Sequence, residues 1–314
     1  MESLSKVNRN YFMGIAIILV ILHHICLLCE REWNVDSFPF TWFYWGQIGV
    51  DIFLFASAYG CCASWENNAW WRYLLHRVER IYPQYFVFLL ICLVWNYADS
   101  SILYKIKGVL CTMSGLATFY RFGVHIDWYI PSLIMMYLTL PFIYAGLKRA
   151  NRGGQLIIIT FVMLMIPLCL KQPPIYYAFV ARFPVILCGM IAYINRKDIG
   201  FLVKLFSLAM ILSLSTREDM VIHSMMVPLT LTALSVTSLD TMPLKEAFSF
   251  CGKHSLEIYL AQGIGYGCVI SNICDNKWIS VVVMVTVTIA VTYVFYLVQK
   301  GYNKLSERIQ INIK

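Results

Sequence analysis

Long apolar runs separated by short polar breaks form the dominant pattern of the chain. Each run approaches the roughly 20 residues that an α-helix needs to cross a bilayer. The pattern therefore predicts an all-α, polytopic membrane protein with about ten transmembrane helices. The predicted spans cover about residues 11–29, 45–65, 81–97, 128–147, 156–170, 176–195, 200–215, 221–238, 255–272 and 278–299.

The charges in the short breaks predict the orientation of these spans. Lys6 and Arg9 precede the first span, whereas the stretch after it holds more acids than bases. Basic loops at 148–152 and 196–197 follow the fourth and the sixth spans. Because short loops rich in Lys and Arg stay in the cytoplasm, we predict that both the N-terminus and the C-terminus are cytoplasmic.

Residues 102–120 are apolar but do not fit this alternation. A full crossing here would place the basic loop at 148–152 outside, against the positive-inside rule. Gly108 and Gly115 weaken the segment as a plain helix, and non-helical backbone at membrane depth is tolerated where protein covers it. We therefore predict one re-entrant or outer-face segment near 102–120.

The composition agrees with a membrane protein of this kind. Of the 314 residues, 60% are hydrophobic and 13% are charged, whereas soluble domains carry about 25% charged residues. The net charge of +8 comes from residues in the loops, so it indicates membrane topology rather than binding to nucleic acid. No linker or low-complexity segment divides the chain, and we predict a single integral-membrane domain over residues 1–314.

Two adjacent histidines, His23 and His24, stand near the end of the first span. An imidazole at membrane depth is costly unless it faces a polar interior, so this pair is a functional-site hypothesis. Cys26 and Cys29 follow on successive turns of an apolar helix, and no second ligand cluster accompanies them. We therefore expect these cysteines to fill the helix and expect no metal.

The third span is preceded by Arg77 and Arg80, which are three residues apart and so project from one face of a helix. A pair of planar guanidinium groups is well suited to hold a phosphate or pyrophosphate. Two other interpretations stay open, an anchor that only fixes orientation and a salt bridge of either arginine with Glu79.

The second span carries small and polar residues in an otherwise apolar run, namely Gly46, Gly49, Asp51, Ser57 and Gly60. Small residues let helices approach closely, and this role is more common than contact with a substrate. An acid at membrane depth must face a polar partner, unless Asp51 lies at the outer interface. Asp51 and Ser57 are therefore candidate substrate-binding residues.

Further polar candidates surround the fourth and sixth spans. His125, Asp127 and Trp128 open the fourth span, where an aromatic ring can stack on a sugar and the polar groups can bind hydroxyls. The alternative is an ordinary aromatic belt at the interface. Arg182 lies inside the sixth span, where its charge needs a partner or a water-filled cavity. We treat all four as candidate substrate-binding residues.

Taken together, these motifs resemble the membrane acyltransferase family three, the ten-span proteins that O-acetylate bacterial polysaccharides and related surface glycans. The resemblance runs from about residue 9 to 262 and includes the stretches 14–24, 49–57, 77–85, 128–141, 182–190 and 252–260. It implies an acetyl group moved from cytoplasmic acetyl-coenzyme A to a hydroxyl of a glycan, either a polysaccharide or a lipid-linked sugar. It also implies a multi-pass protein of the cell inner (cytoplasmic) membrane.

The resemblance assigns roles to three residues. His24 falls on the family's first-helix histidine, and Arg77 and Arg80 fall on the Arg-x-x-Arg that engages the donor. Two positions depart from the family pattern. Met13 stands where the family usually has Arg or Lys, so that either Arg9, one turn earlier, substitutes for this cation or the contact is missing. Gln262 stands where the family often has His.

Several alternatives remain open from the sequence. His24 could act as a general base on the acceptor hydroxyl, or it could carry a transient acetyl group. His23 points about 100° away on the same helix, and we expect it to be the less important histidine. A transporter or exporter of a glycan or small solute would also have ten spans with intramembrane charges. The departures at Met13 and Gln262 leave room for a catalytically silent relative, and the oligomeric state is not predicted.

Overall fold

A computed structural model describes residues 6–29, 45–96, 101–116, 128–170, 174–234, 244–271 and 276–313. These residues are almost entirely helical and contain no strand. The helices are α1 (Lys6–Cys29), α2 (Ile48–Asn67), α3 (Trp70–Asn96), α4 (Ile102–Met113), α5 (Tyr129–Arg149), α6 (Arg152–Cys169), α7 (Pro174–Ile194), α8 (Ile199–Thr216), α9 (Asp219–Leu234), α10 (Lys245–Lys253), α11 (Ser255–Ser271) and α12 (Lys277–Ile313). A 3₁₀ turn, Trp45–Gln47, leads into α2.

Each predicted span overlaps one of these helices, and the all-α prediction is confirmed. Within the described residues, six helical segments are long and apolar enough to cross a membrane, namely Arg9–Cys29, Trp45–Asn67, Tyr129–Arg149, Arg152–Cys169, Ile199–Thr216 and Trp278–Arg308. Two shorter apolar helices, Ala178–Ile194 and Asp219–Leu234, accompany them. The chain therefore has the helices of a multi-pass membrane protein, while the number of ten spans and the side of the termini stay predictions.

Helix α2 packs against both α1 and α7, and the three helices position the sites described below. Small residues allow this packing, as the sequence predicts for the second span. A side chain at Gly49 would meet the backbone oxygen of Ala16 on α1. A side chain at Gly189 of α7 would meet the backbone oxygen of Phe55 on α2. The glycines thus let the three backbones approach closely, which suits helix association in lipid.

Helix α3 begins at Trp70, earlier than the predicted span, and continues through Pro83. A proline inside a helix leaves the carbonyl of the residue four positions earlier without its backbone donor. Here that carbonyl belongs to Glu79, and it accepts a hydrogen bond from Nε2 of Gln299 on α12 at 3.2 Å. Because Gln299 Oε1 in turn accepts from Gln84 Nε2 at 3.0 Å, a polar network joins α3 to α12.

The same replacement occurs in α5 at Pro141. The carbonyl of Tyr137, four residues earlier, accepts a hydrogen bond from the hydroxyl of Tyr73 on α3 at 3.2 Å. Buried backbone groups in a membrane protein must find partners within the protein. In both α3 and α5, a side chain from a neighbouring helix therefore supplies the hydrogen bond that the proline removes.

Helix α4 covers part of the segment predicted to be re-entrant or on the outer face. Its 12 residues extend about 18 Å, which is too short for a hydrocarbon core of about 30 Å. The carbonyl of Met113, at its C-terminal end, accepts a hydrogen bond from the hydroxyl of Tyr82 in the middle of α3 at 2.6 Å. Gly115 then turns the chain with φ of +79°, a conformation that suits glycine.

Candidate active site

Two neighbouring cavities lie between the helices and contain most of the residues singled out by the sequence. The first, which we call the arginine cavity, has a volume of about 50 Å³ and is lined by Arg9, Ser57, Arg77, Arg80, Tyr137 and Tyr259 among others. The second, the histidine cavity, has a volume of about 520 Å³ and is lined by His23, His24, Trp128, Arg182, Tyr259 and Gln262 among others. Tyr259 belongs to the walls of both.

The arginine cavity brings together three cations from two helices. Arg9 comes from α1, while Arg77 and Arg80 come from successive turns of α3, as their spacing predicts. The guanidinium carbon of Arg77 lies 5.5 Å from the ring centres of both Tyr73 and Tyr137. These aromatic faces hold the guanidinium group in place without neutralising its charge.

No carboxylate neutralises this cluster within the part of the chain that the structure describes. None of the three arginines has a described carboxylate within 4.0 Å, so the alternative salt bridge with Glu79 does not form there. The Nε atoms of Arg9 and Arg77 are buried and have no hydrogen-bond partner among the described residues. Three cations around one space, two of them with unused buried donors, form an arrangement that favours a phosphate or another multivalent anion.

Arg9 occupies the region where the family pattern usually has a cation at position 13. Arg9 and Met13 are one helical turn apart on α1, and both side chains line the arginine cavity. A Cβ atom at Gly60 would lie 3.6 Å from Nη1 of Arg9, so the guanidinium group runs alongside α2 at this glycine. The structure therefore places a cation in the cavity despite Met13.

The histidine cavity contains the second chemical group that the sequence predicts. Nδ1 of His24 lies 2.9 Å from the carbonyl oxygen of Val20, one turn earlier on α1. A carbonyl oxygen can only accept, so Nδ1 carries a proton, and in the neutral ring Nε2 keeps its lone pair. The His24 ring also packs edge to face against Tyr266, with ring centres 5.1 Å apart. His24 is thus oriented as a proton acceptor through Nε2.

His23 lines the same cavity as His24, and the two ring centres are 5.6 Å apart. The difference of about 100° between their directions on the helix does not remove His23 from this space. Its importance relative to His24 stays a prediction.

Arg182 also lines the histidine cavity, and its charge has a partner within the protein. Its Nε lies 3.1 Å from Oδ1 of Asp51, and both side chains are almost completely buried. Nη2 donates to Oε1 of Gln47 at 3.4 Å. The guanidinium carbon lies 5.2 Å from the ring centre of Trp128. Arg182 is therefore held from several sides at the wall of the cavity.

The predicted substrate-binding residues divide between different places. Trp128 and Arg182 share the histidine cavity, while Ser57 lines the arginine cavity. Asp51, predicted to contact substrate, faces Arg182 and lines neither of the two described cavities. His125 and Asp127 lie outside the described residues. No described group of three or more His, Cys, Asp or Glu side chains is arranged to hold a metal ion.

The sequence reasoning missed Tyr259, which lies at the boundary of the two cavities. Its ring packs edge to face against Tyr129 of the arginine cavity, with centres 5.1 Å apart. The residue stands in the stretch 252–260 that carries the family resemblance, but it has no charge to mark it as functional. Only the packing of α11 against α1 and the ring contact with Tyr129 on α5 reveal its position between the arginines and His24.

The protein is a multi-pass helical protein in which a cationic cavity lies beside a histidine cavity. These are the groups needed to transfer an acyl group from an anionic donor. The comparison with protein families gives the same class. Residues 10–297 match the family model of acyltransferase family 3, which is described as an acyltransferase domain. The chain therefore belongs to acyltransferase family 3. Neither a curated protein nor a solved structure matches the chain.

Proposed function

We propose that this protein is a membrane O-acetyltransferase that moves an acetyl group from cytoplasmic acetyl-coenzyme A to a hydroxyl of a glycan. The family supports acyl transfer in general. The observation that carries the more specific proposal is the contact of the two cavities at Tyr259, with three arginines on one side and His24 on the other. A phosphate-bearing donor and a hydroxyl acceptor would meet there.

The arginine cavity would bind the phosphates of the coenzyme. Arg9, Arg77 and Arg80 have no described carboxylate partner, so a phosphate can take their donors without displacing an ion pair. Arg9 and His24 are on the same helix, about 22 Å apart at a rise of 1.5 Å per residue. The long, flexible pantetheine arm would follow α1 and bring the thioester past Tyr259 to His24.

His24 would then act on the acceptor hydroxyl. Nε2 removes the hydroxyl proton as the oxygen attacks the thioester carbonyl, an ester bond forms, and the carbon–sulfur bond breaks. The proton on the imidazole passes to the departing thiolate, so the products are the O-acetyl ester and coenzyme A. A two-step route through acetyl-His24 uses the same nitrogen and the same cavity.

The acceptor would occupy the histidine cavity. The volume of about 520 Å³ falls in the range of about 300–1,000 Å³ that is usual for small-molecule sites. Trp128 offers an aromatic face for a sugar ring, and Arg182 offers an N–H donor for a hydroxyl oxygen. Asp51 orients Arg182, and we propose His125 and Asp127 as further contacts to the sugar.

The membrane arrangement belongs to the same proposal. We propose one domain over residues 1–314 in the cell inner membrane, with ten spans and both termini in the cytoplasm. The shortness of α4 and its contact with the middle of α3 support a re-entrant segment there. The apolar helices of the described chain support insertion in a bilayer, and the oligomeric state is not part of the proposal.

The alternatives from the sequence receive less support. A transporter does not require a cluster of three arginines that lack described carboxylate partners, nor a histidine beside such a cluster. The silent-relative alternative rested on Met13 and Gln262, and Arg9 supplies a cation at the cavity that Met13 lines.

The test is consumption of acetyl-coenzyme A by the full-length protein in lipid nanodiscs, with a glycan extract as acceptor and a labelled acetyl group. His24→Ala should lower transfer by about 10²–10⁴-fold, while His23→Ala serves as the neighbouring control. Arg77→Ala should weaken binding of coenzyme A by about 10–100-fold, the loss of one charge-assisted contact. Full activity of His24→Ala in a folded protein would overturn the proposal.

A further inference from the structure

Gln262 is a buried amide in the wall of the histidine cavity that the proposed chemistry does not use. Gln262 is only 2% exposed, although it contributes to the cavity lining. Its Oε1 is buried without a hydrogen-bond partner among the described residues. The nearby polar side chain of Arg182, by contrast, has partners in Asp51 and Gln47. Gln262 is therefore a polar group in this wall whose acceptor is unused.

An unpaired amide oxygen in a low-dielectric interior costs free energy, and buried polar groups usually have partners for this reason. The cavity next to Gln262 has room for a molecule that could supply one. The terminal torsion of glutamine is soft, so either Oε1 or Nε2 can turn to such a molecule. An amide that can both donate and accept is complementary to a hydroxyl, which does the same.

Gln262 lies close to the place where the acceptor hydroxyl would react. Tyr266 follows Gln262 by one helical turn, so the two side chains are neighbours on one face of α11. The Tyr266 ring packs against the ring of His24, at 5.1 Å between centres. Gln262 thus lies one turn from the contact that holds the proposed base. A hydroxyl bound by Gln262 would belong to the same acceptor molecule as the hydroxyl near His24.

We propose that Gln262 is a specificity-determining residue that binds a second hydroxyl of the acceptor, close to the one that is acetylated. The substrate class is then a ring that carries neighbouring hydroxyls, and single alcohols are poor acceptors. This inference rests on the proposed acyl transfer and extends it from the reaction to the acceptor.

The test uses two small probes of equal ring size, cis-1,2-cyclohexanediol and cyclohexanol. Full-length protein in nanodiscs receives acetyl-coenzyme A and either probe, and mass spectrometry measures the acetyl esters. The wild type should prefer the diol in kcat/KM by about tenfold, the effect of one buried hydrogen bond. In Gln262→Leu and in Gln262→Met, the preference should fall to the factor expected from the presence of two hydroxyls instead of one.

Matched controls separate this inference from the proposed function. Ile91→Val changes an apolar residue of the same cavity wall and should keep the wild-type preference. Coenzyme A binding in the Gln262 variants shows that they are folded. A statistical preference in the wild type, an unchanged preference in both Gln262 variants, or no acetylated probe at all overturns the role of Gln262. In each of these cases, consumption of acetyl-coenzyme A that depends on His24 would still support the proposed acyl transfer.

Discussion

The guanidinium Nε of Arg182 lies 3.1 Å from Oδ1 of Asp51, in a place where both side chains are almost completely excluded from solvent. Each charge is a liability in a membrane protein when it stands alone. Together they form a pair in which Asp51 holds Arg182 at the wall of the histidine cavity. The pair thus connects the packing of α2 and α7 with the proposed acceptor site.

This ion pair predicts that the effects of substituting the two residues on the free energy of unfolding are strongly coupled. Asp51→Asn leaves the Arg182 cation buried without a countercharge, and breaking a buried ion pair in this way costs about 3–5 kcal/mol. Asp51→Leu combined with Arg182→Met removes both charges and should recover most of the stability. Thermal unfolding in detergent measures both effects. Additive losses in the double variant would contradict the coupling.

The same double variant separates stability from function. It should be folded but poor in acetyl transfer, because the donors of Arg182 no longer line the histidine cavity. Coenzyme A binding should stay near the wild-type level, since the arginine cavity is unchanged. Normal transfer in the double variant would remove Arg182 from the acceptor site.

The position of Tyr259 in both cavity walls predicts that its size controls passage between them. Tyr259→Trp should obstruct the thioester and lower acetyl transfer by about 10²-fold, the effect of misplacing a reacting group by about 1 Å. Binding of coenzyme A itself should persist, because its phosphates stay at the arginines. Calorimetry for binding and thiol release for turnover measure the two effects separately.

Tyr259→Phe is the matched control for this prediction. It keeps the ring and removes only the hydroxyl, so passage between the cavities should remain open. An equal loss of turnover in Tyr259→Phe and Tyr259→Trp would show that the hydroxyl matters rather than the size of the ring.

Much of the fold could be predicted from the sequence, because the bilayer imposes one length scale on every apolar run. The common face of Arg77 and Arg80 was also predictable, since three residues make nearly one helical turn. The pairing of Asp51 with Arg182 was not, because they are far apart in the chain and either could have faced a cavity. Tyr259 likewise acquires its place only from helix packing, which no local pattern encodes.

The hydrogen bond from Tyr73 to the carbonyl of Tyr137 predicts coupling with Pro141, whose missing N–H leaves that carbonyl free. Tyr73→Phe leaves a buried carbonyl unpaired and should lower the free energy of unfolding by about 1–3 kcal/mol. In Pro141→Ala the backbone can supply the hydrogen bond, so Tyr73→Phe should cost less there. Unfolding by SDS titration of the four proteins gives the coupling, and equal costs in both backgrounds would contradict this explanation.

Gly252 provides a test of how α10 supports the arginine cavity. Its backbone touches that of α1, so that an added Cβ would collide with the backbone oxygen of Asn10, the residue after Arg9. Gly252→Ala should therefore displace α10 from α1, lower the thermal midpoint and weaken coenzyme A binding together. Gly146→Ala is the control, because nothing lies within 4 Å of its added Cβ and alanine favours the helix by about 0.5–1 kcal/mol. Equal behaviour of the two alanine variants in both measurements would show that the contact between α1 and α10 does not shape the cavity.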